Sequence, residues 1–383
     1  MDDHSAYSPW IEVYLDNVAR NAEAVRRAAG GTPLLAVVKD NAYGLGAVPI
    51  ARALEKAGVG FFAVARGGEA RALRDGGIAA PVLVLGECDS NDLRWGAARD
   101  VRFVLNDLAD LDRWASLGCP VRCHCLIDTG MHRMGILPDE VSELLRRLPH
   151  LPAISIEGVF THYASADVPN TDTVDHQKRI FRELLARFAV AGVRPDHIHF
   201  SNSAGIMRFP DPGCTLARPG ITLYGCKPDP AQDFGIALHP VVALKARVAK
   251  VKRVPAQTPV SYHGRYTTPH ETCIATIPIG YAHGLPRRLT NAGDVLINGR
   301  RYRIAGTVTM DYIMVDAGPS PLFSVGDEAA ALGPQANDCI GVDDMAAQAH
   351  TIGYEILCGL SAVIDRRYLE NGRCVLHLPA RPF

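Results

Sequence analysis

Long hydrophobic runs are missing from this chain. Its apolar stretches fall far short of the roughly 18–20 residues that a membrane-spanning helix needs, and the start, MDDHSAYSPW, is acidic and polar where a signal peptide would carry an apolar core. Charge of one sign is missing too. Lys and Arg number 40 against 41 Asp and Glu, for a net charge of −1, so no overall field draws nucleic acid or an anionic membrane surface. The ten cysteines contain no CxxC pair. Cys123 and Cys125 would share one face of a strand, but two ligands do not make a zinc site, and no metal is expected. Free thiols in a reducing, cytoplasmic setting are the reading that remains. A GxGxxG turn after a strand is also lacking, which argues against a doubly wound dinucleotide-binding sheet.

What is present is an ordinary globular composition, 48% hydrophobic and 21% charged, over 383 residues, enough for a barrel plus a second domain. WIEVYL (10–15) reads as a short strand, with Asp16 or Asn17 as a cap for a helix running to Ala29. Eight strand candidates then alternate with helical patterns: Leu34–Val38, Phe61–Val64, Val82–Leu85, Arg102–Leu105, Val121–Ile127, Ser155–His162, His197–Ser201 and Thr222–Tyr224. This α/β alternation over about 200 residues predicts a (β/α)8 TIM-like barrel, assigned to residues 1–235. KPDPAQ (227–232) reads as a linker. Short β-type segments punctuated by Gly, Pro and Asn follow, predicting a mostly β C-terminal domain over 236–383.

Lys39 ends the first barrel strand, in LLAVVKDNAYGLG (34–46). A lysine desolvated at the mouth of a buried strand sheds its proton more readily, and its free amine is then a nucleophile able to form an imine; alternatively its ammonium reaches past the strand end into solvent. Other polar residues fall at strand ends, where parallel barrels build their sites: Asp128 and Arg133 in DTGMHRMG, His162 in FTHYASAD, Asn202 and Ser203 in HFSNSAG, and Arg218 and Gly220 in ARPGITLYG. Asn-Ser before a helix and a glycine turn before the last strand can together cup a phosphate. A lysine facing a phosphate cup suits pyridoxal phosphate.

These segments carry a family likeness. AVVKDNAYGLG, DTGMHRMGI, FTHYASAD, NSAG, ARPGITLYG, TPVSYHG, IPIGYAHGLPR, TVTMDYIMVD and GYEIL, in that order over nearly the whole chain, resemble the alanine racemase family of fold-type III pyridoxal-phosphate enzymes. The resemblance implies that Lys39 bonds the cofactor and serves as one catalytic base, and that Tyr262 is the opposite base, oriented by His162. It implies cofactor contacts from Tyr43, Asn202, Ser203, Gly220, Ile221 and Tyr354 around the phosphate, Arg218 at the pyridine nitrogen and Arg133 at the phenolic oxygen. Met310, beside Asp311, matches the substrate-carboxylate segment. Tyr281, Arg287, Ile352 and Tyr354 match an entry corridor. It further implies a head-to-tail homodimer in which Tyr262 and Met310 complete the partner's site, and interconversion of L- and D-alanine for peptidoglycan. The chemistry suits the residue types. Removing a Cα proton from one face and delivering one to the other would make a single base swing across the ring; two bases avoid that, and the resemblance implies Lys39 for the D-face and Tyr262 for the L-face. A tyrosine works as a base only if its environment favours the phenolate, for which Arg218 acting through His162 is the stabiliser.

The sequence departs from the family pattern in places. Asp40 and Leu45 replace the usual Ala and His. Leu126 stands where a carbamylated lysine often pairs with Arg133, leaving room for an anion such as chloride. His283 and Thr307 replace an aspartate and an arginine of the corridor. Asp40 can tune Lys39 or point away. The altered corridor keeps open a racemase for serine or a larger amino acid. A decarboxylase of the same fold is disfavoured by VSY and MDY, and a barrel-only cofactor carrier by the second domain.

Overall fold

Seven parallel strands, β2 to β8, follow one another around the first part of the chain, each hydrogen-bonded to the next: β2 (Leu35–Val37), β3 (Phe61–Val64), β4 (Val82–Val84), β5 (Val101–Leu105), β6 (Val121–Leu126), β7 (Ile154–Phe160) and β8 (His197–His199). The computed structural model describes residues 7–169 and 171–380. FFAV, VLV and VRFVL are buried along their whole lengths, as parallel strands covered on both faces must be. Each connection carries a helix with one apolar stripe. The longest, Thr173–Val190, buries Val174, Gln177, Phe181, Leu184 and Phe188, the spacing of three and four residues that puts one face on the core.

The eighth strand differs from the sequence expectation. Ile221–Tyr224 is a 3-10 turn, and the segment just before it takes the eighth position. Arg218 N–H donates to the Ser201 carbonyl at 3.0 Å on the β8 side. Leu35 and Val37 N–H donate to the Ala217 and Pro219 carbonyls at 2.8 and 2.9 Å on the β2 side. These bonds close the ring, but Pro219 has no N–H to give, so a regular strand cannot form there.

β1 (Trp10–Tyr14) also behaves differently from its neighbours in sequence. It runs antiparallel to Val242–Arg247 and parallel to Asp365–Glu370, in the middle of the second unit's large sheet. The following helix starts at Leu15 with no side-chain cap; Asn17 instead donates to the Pro240 carbonyl at 2.7 Å. The second unit is mostly β, as expected, with a further three-stranded sheet of Lys250–Val254, Thr272–Ile277 and Ile313–Asp316. The 227–232 linker is irregular, and Lys227 N–H is held by Asp343 at 3.0 Å.

Candidate active site

A cavity of about 260 Å³ opens at the C-terminal ends of the barrel strands. Lys39, Arg133 and Arg218 are in its wall, and among the described residues no carboxylate is. Around them stand Tyr43, His162, Asn202, Ser203, Gly220, Ile221 and Tyr354. Ten of the residues singled out from the sequence therefore share one wall.

The backbone turns left-handed immediately after Lys39. Asp40, Asn41, Ala42 and Tyr43 have φ of 52, 55, 54 and 55°, at a cost of roughly 1–2 kcal/mol per non-glycine residue. The surroundings hold the turn. Asn41 N–H donates to Glu69 at 3.2 Å and the Asn41 amide oxygen accepts from Ala47 N–H at 2.9 Å. Arg366 and Tyr368, from the second unit, donate to the Gly44 and Leu45 carbonyls, each at 3.0 Å. This turn drives Tyr43 inward and leaves Asp40 outside, 3.6 Å from Arg66, the outward placement of the two that the sequence left open. A Cβ on Gly220 would lie 2.5 Å from the Tyr43 hydroxyl, so only glycine lets Tyr43 and the last barrel segment approach this closely.

Arg218 is 4% exposed. It donates to the Thr161 carbonyl and to His199 Nδ1, both at 2.8 Å, and to His162 Nδ1 at 3.2 Å. Burial lowers its pKa to about 10, so it stays charged at neutral pH, with neutral acceptors in place of a carboxylate. Burial, then the charges of Arg218, Arg133 and Lys39, pushes His162 down to about 3. His162 is thus neutral, with Nδ1 accepting from Arg218 and the proton on Nε2.

Ser203 Oγ accepts from Gly220 N–H at 3.0 Å, tying the segment after β8 to the start of the 3-10 turn. Asn202 caps the helix Ser203–Arg208 by accepting from Gly205 N–H at 2.9 Å. Tyr354 enters the wall from the second unit, 6.0 Å between ring centres from Tyr43. Arg133 rides on a turn organised by Asp128, whose Oδ1 accepts the N–H groups of Gly130, Met131 and His132 at 3.0–3.1 Å. Leu126 lines the cavity beside it.

Tyr262, Met310 and Tyr281 are not in this wall. They lie on the second unit, 67%, 54% and 43% exposed, and the backbone links them. Thr307 Oγ donates to the Tyr262 carbonyl at 3.0 Å, and the N–H groups of Tyr281 and Ala282 donate to the Thr309 and Met310 carbonyls at 3.0 Å. His283 accepts Gly280 N–H on Nδ1 at 3.0 Å, so it braces its own turn. Sequence reasoning missed Gln177, which holds His162 from behind, and Arg366 and Tyr368, which hold the turn after Lys39; a polar residue in an otherwise apolar helical stripe was the only signal for the first.

Three cations without a carboxylate call for a polyanionic ligand. Hydroxyls of Tyr43, Ser203 and Tyr354 and the N–H of Ile221 suit a phosphate at one side, where Gly220 leaves room, while Lys39 is available for a covalent bond. The residues present therefore fit pyridoxal phosphate, and fold and site together define a barrel-type pyridoxal-phosphate enzyme. Residues 13–228 match the family model of the alanine racemase N-terminal domain, and residues 241–368 that of the C-terminal domain. The chain is 40% identical to an alanine racemase of Symbiobacterium thermophilum over 96% of this chain and 99% of that one. It is also 40% identical to the alanine racemase of Carboxydothermus hydrogenoformans over 94% and 99%. Among solved structures, alanine racemase from D-cycloserine-producing Streptomyces lavendulae superposes with a TM-score of 0.89 at 35% identity, covering 95% of this chain and 98% of that one. The Bacillus anthracis enzyme with bound L-Ala-P gives 0.89 at 34%, covering 97% and 98%. The chain belongs to the alanine racemase family.

Proposed function

We propose that this chain interconverts L- and D-alanine in the cytoplasm, as a homodimer, and supplies D-alanine for peptidoglycan. The observation that carries the catalytic reading is Lys39 at a strand end in a cavity whose charged wall residues, among those described, are all cations. The ten unpaired thiols support a reducing compartment.

Bound pyridoxal phosphate supplies the electron sink that makes a Cα proton removable. Lys39 would hold it covalently, Tyr43, Asn202, Ser203, Gly220, Ile221 and Tyr354 would hold the phosphate, and Arg133 the phenolic oxygen. Arg218 donates and does not accept, so it would leave the cofactor's ring nitrogen unprotonated, which would limit side reactions. Lys39 takes or gives the proton on the D-face and Tyr262 on the L-face. His162 donates Nε2–H toward the Tyr262 oxygen, and the Arg218 charge behind it favours the phenolate. Met310 fixes the substrate carboxylate through its backbone, with Tyr281 at the entrance and Tyr354 limiting the side chain to a small one.

Exposure of Tyr262 and Met310, both outside the cavity that their own Lys39 lines, supports a shared site. Each protomer's second unit would cap the other's barrel and bring both bases to one cavity.

The test follows Cα protons of both enantiomers of alanine, serine, lysine and arginine in deuterated water by NMR and chiral chromatography. Inversion fastest with alanine is the expected result, and inversion fastest with another amino acid would reassign the substrate. Tyr262→Phe is expected to cut interconversion by at least about 100-fold while D-alanine still exchanges with retention at Lys39. Undiminished interconversion would sink the two-base account.

A further inference from the structure

We infer that Gln177 is a positioning residue for the L-face base, fixing His162 from behind the cavity wall. This rests on the roles given to Tyr262 and His162 above.

Gln177 sits in the apolar stripe of the helix Thr173–Val190, among Val174, Phe181 and Leu184, and is 0% exposed. A primary amide costs free energy in such a place unless its hydrogen bonds are made. Here they are made to loop atoms. Nε2 donates to the His162 carbonyl at 2.9 Å and to Thr129 Oγ1 at 3.1 Å, and Oε1 accepts from Ala164 N–H at 3.0 Å. Thr129 Oγ1 in turn pairs with Thr161 Oγ1 at 2.7 Å, with both side chains buried.

One side chain thus grips the chain at the His162 carbonyl and just after it, and through Thr129 reaches Thr161 before it, tying His162 to the turn after β6. Arg218 holds the ring of His162 through Nδ1, and Gln177 holds its backbone, so the direction of Nε2–H is set by two anchors. Gln177 is absent from the cavity wall and touches neither cofactor nor substrate positions. Lys39 leaves a different strand and is anchored by a separate set of bonds. Loosening Gln177 therefore weakens proton delivery at Tyr262 and leaves delivery at Lys39 intact.

Steady-state rates in the two directions cannot reveal this, because an equilibrium constant of unity forces equal kcat/KM for both enantiomers in every variant. Exchange can. The holoenzyme is given D-alanine in deuterated water, and the ratio of deuterium gained with retention to deuterium gained with inversion is measured. Gln177→Met, similar in shape and unable to donate, is expected to raise that ratio about tenfold, the effect of losing one good hydrogen bond at the second proton transfer. Gln177→Glu keeps the acceptor for Ala164 N–H. It is expected to raise the ratio at high pH and to fall back toward wild type as the pH is lowered, because a protonated carboxyl regains one donor. It serves alone if Gln177→Met does not fold.

Retention and inversion falling by one common factor, or an unchanged ratio, would overturn the inference and leave Gln177 a packing residue. Tyr262→Phe separates the two levels. If L-alanine still exchanges in that variant, the two-base reading itself fails. If L-alanine exchange is lost there and the Gln177 variants leave the ratio unmoved, only the inference about Gln177 fails.

Discussion

Four consecutive left-handed residues after Lys39 are the least expected feature of the site, and they set its geometry. The side chain of Asp40, at φ 52° and ψ 48°, makes a long ion pair with Arg66 at 3.6 Å between exposed groups, worth little. Replacing it should reveal the backbone cost directly. Asp40→Val, β-branched and poorly suited to this region, is expected to cost about 1–2 kcal/mol, while Asp40→Gly stays within about 0.5 kcal/mol of wild type, gaining conformational fit and losing chain entropy. Urea unfolding of the two variants checks this, and equal stabilities would mean that the turn carries no strain at residue 40. The strain was invisible in sequence, since KDNAYG reads as an ordinary polar turn. By contrast Lys39, His162, Asn202 and Ser203 were legible as site residues, because each stands at or just past the end of an apolar run and parallel barrels gather such ends on one rim, and Arg218 and Gly220 because they form the glycine turn before the expected last strand. Tyr262, Met310 and Tyr281 were legible only through the family likeness. Nothing in their local pattern distinguishes them from a β domain's surface, and in a single chain they are surface.

At the level of elements, local pattern located the strands well where burial on both faces makes a continuous apolar run, as in FFAV and VRFVL. It misplaced the eighth, because TLY is β-prone in isolation while the ring closes through Ala217 to Pro219, where proline breaks regular pairing. It could not foresee that β1 belongs to the far sheet, since strand partners over 200 residues away leave no mark on five residues. That exchange has a consequence for the site. β1 pairs with Asp365–Glu370, and the same strand carries Arg366 and Tyr368, which grip the turn after Lys39. A Cβ at Gly46 would run into the Tyr368 hydroxyl, so turn and strand are fitted to one another. Tyr368→Phe leaves the Leu45 carbonyl without its partner. It is expected to cost about 1–2 kcal/mol in urea unfolding and to speed loss of cofactor on dilution, read from absorbance of the lysine-bound form. A stability loss with cofactor retention unchanged would confine Tyr368 to packing.

The whole molecule keeps several histidines neutral inside the barrel, and that sets its response to acid. His162 is pushed down to about 3, and His124 and His199 well below their usual range, chiefly by burial. In the unfolded chain each binds a proton near pH 6.5. Below that pH the unfolded state therefore holds more protons than the folded one, and stability drains away as pH falls. Three such groups give a slope approaching about 4 kcal/mol per pH unit. Unfolding at fixed protein concentration should be nearly flat above about pH 7 and fall steeply from about 6 to 5; a decline starting only below about pH 4.5 would point to carboxylates instead. At the same scale, Tyr262 lies exposed and outside the cavity that its own Lys39 lines, and mixing variants tests the shared site proposed above directly. On the reading proposed above, Lys39→Ala and Tyr262→Phe homodimers each lack one base in every site. If the second unit of one protomer caps the barrel of the other, a mixed dimer has one site missing both bases and one site with both. After dissociation and random reassociation of equal amounts, half of the dimers are mixed and half of their sites are intact, so about a quarter of wild-type activity should return. Activity that stays at the level of the separate variants, in a sample shown by native mass spectrometry to contain mixed dimers, would place both bases on one chain and require the second unit to fold back over its own barrel.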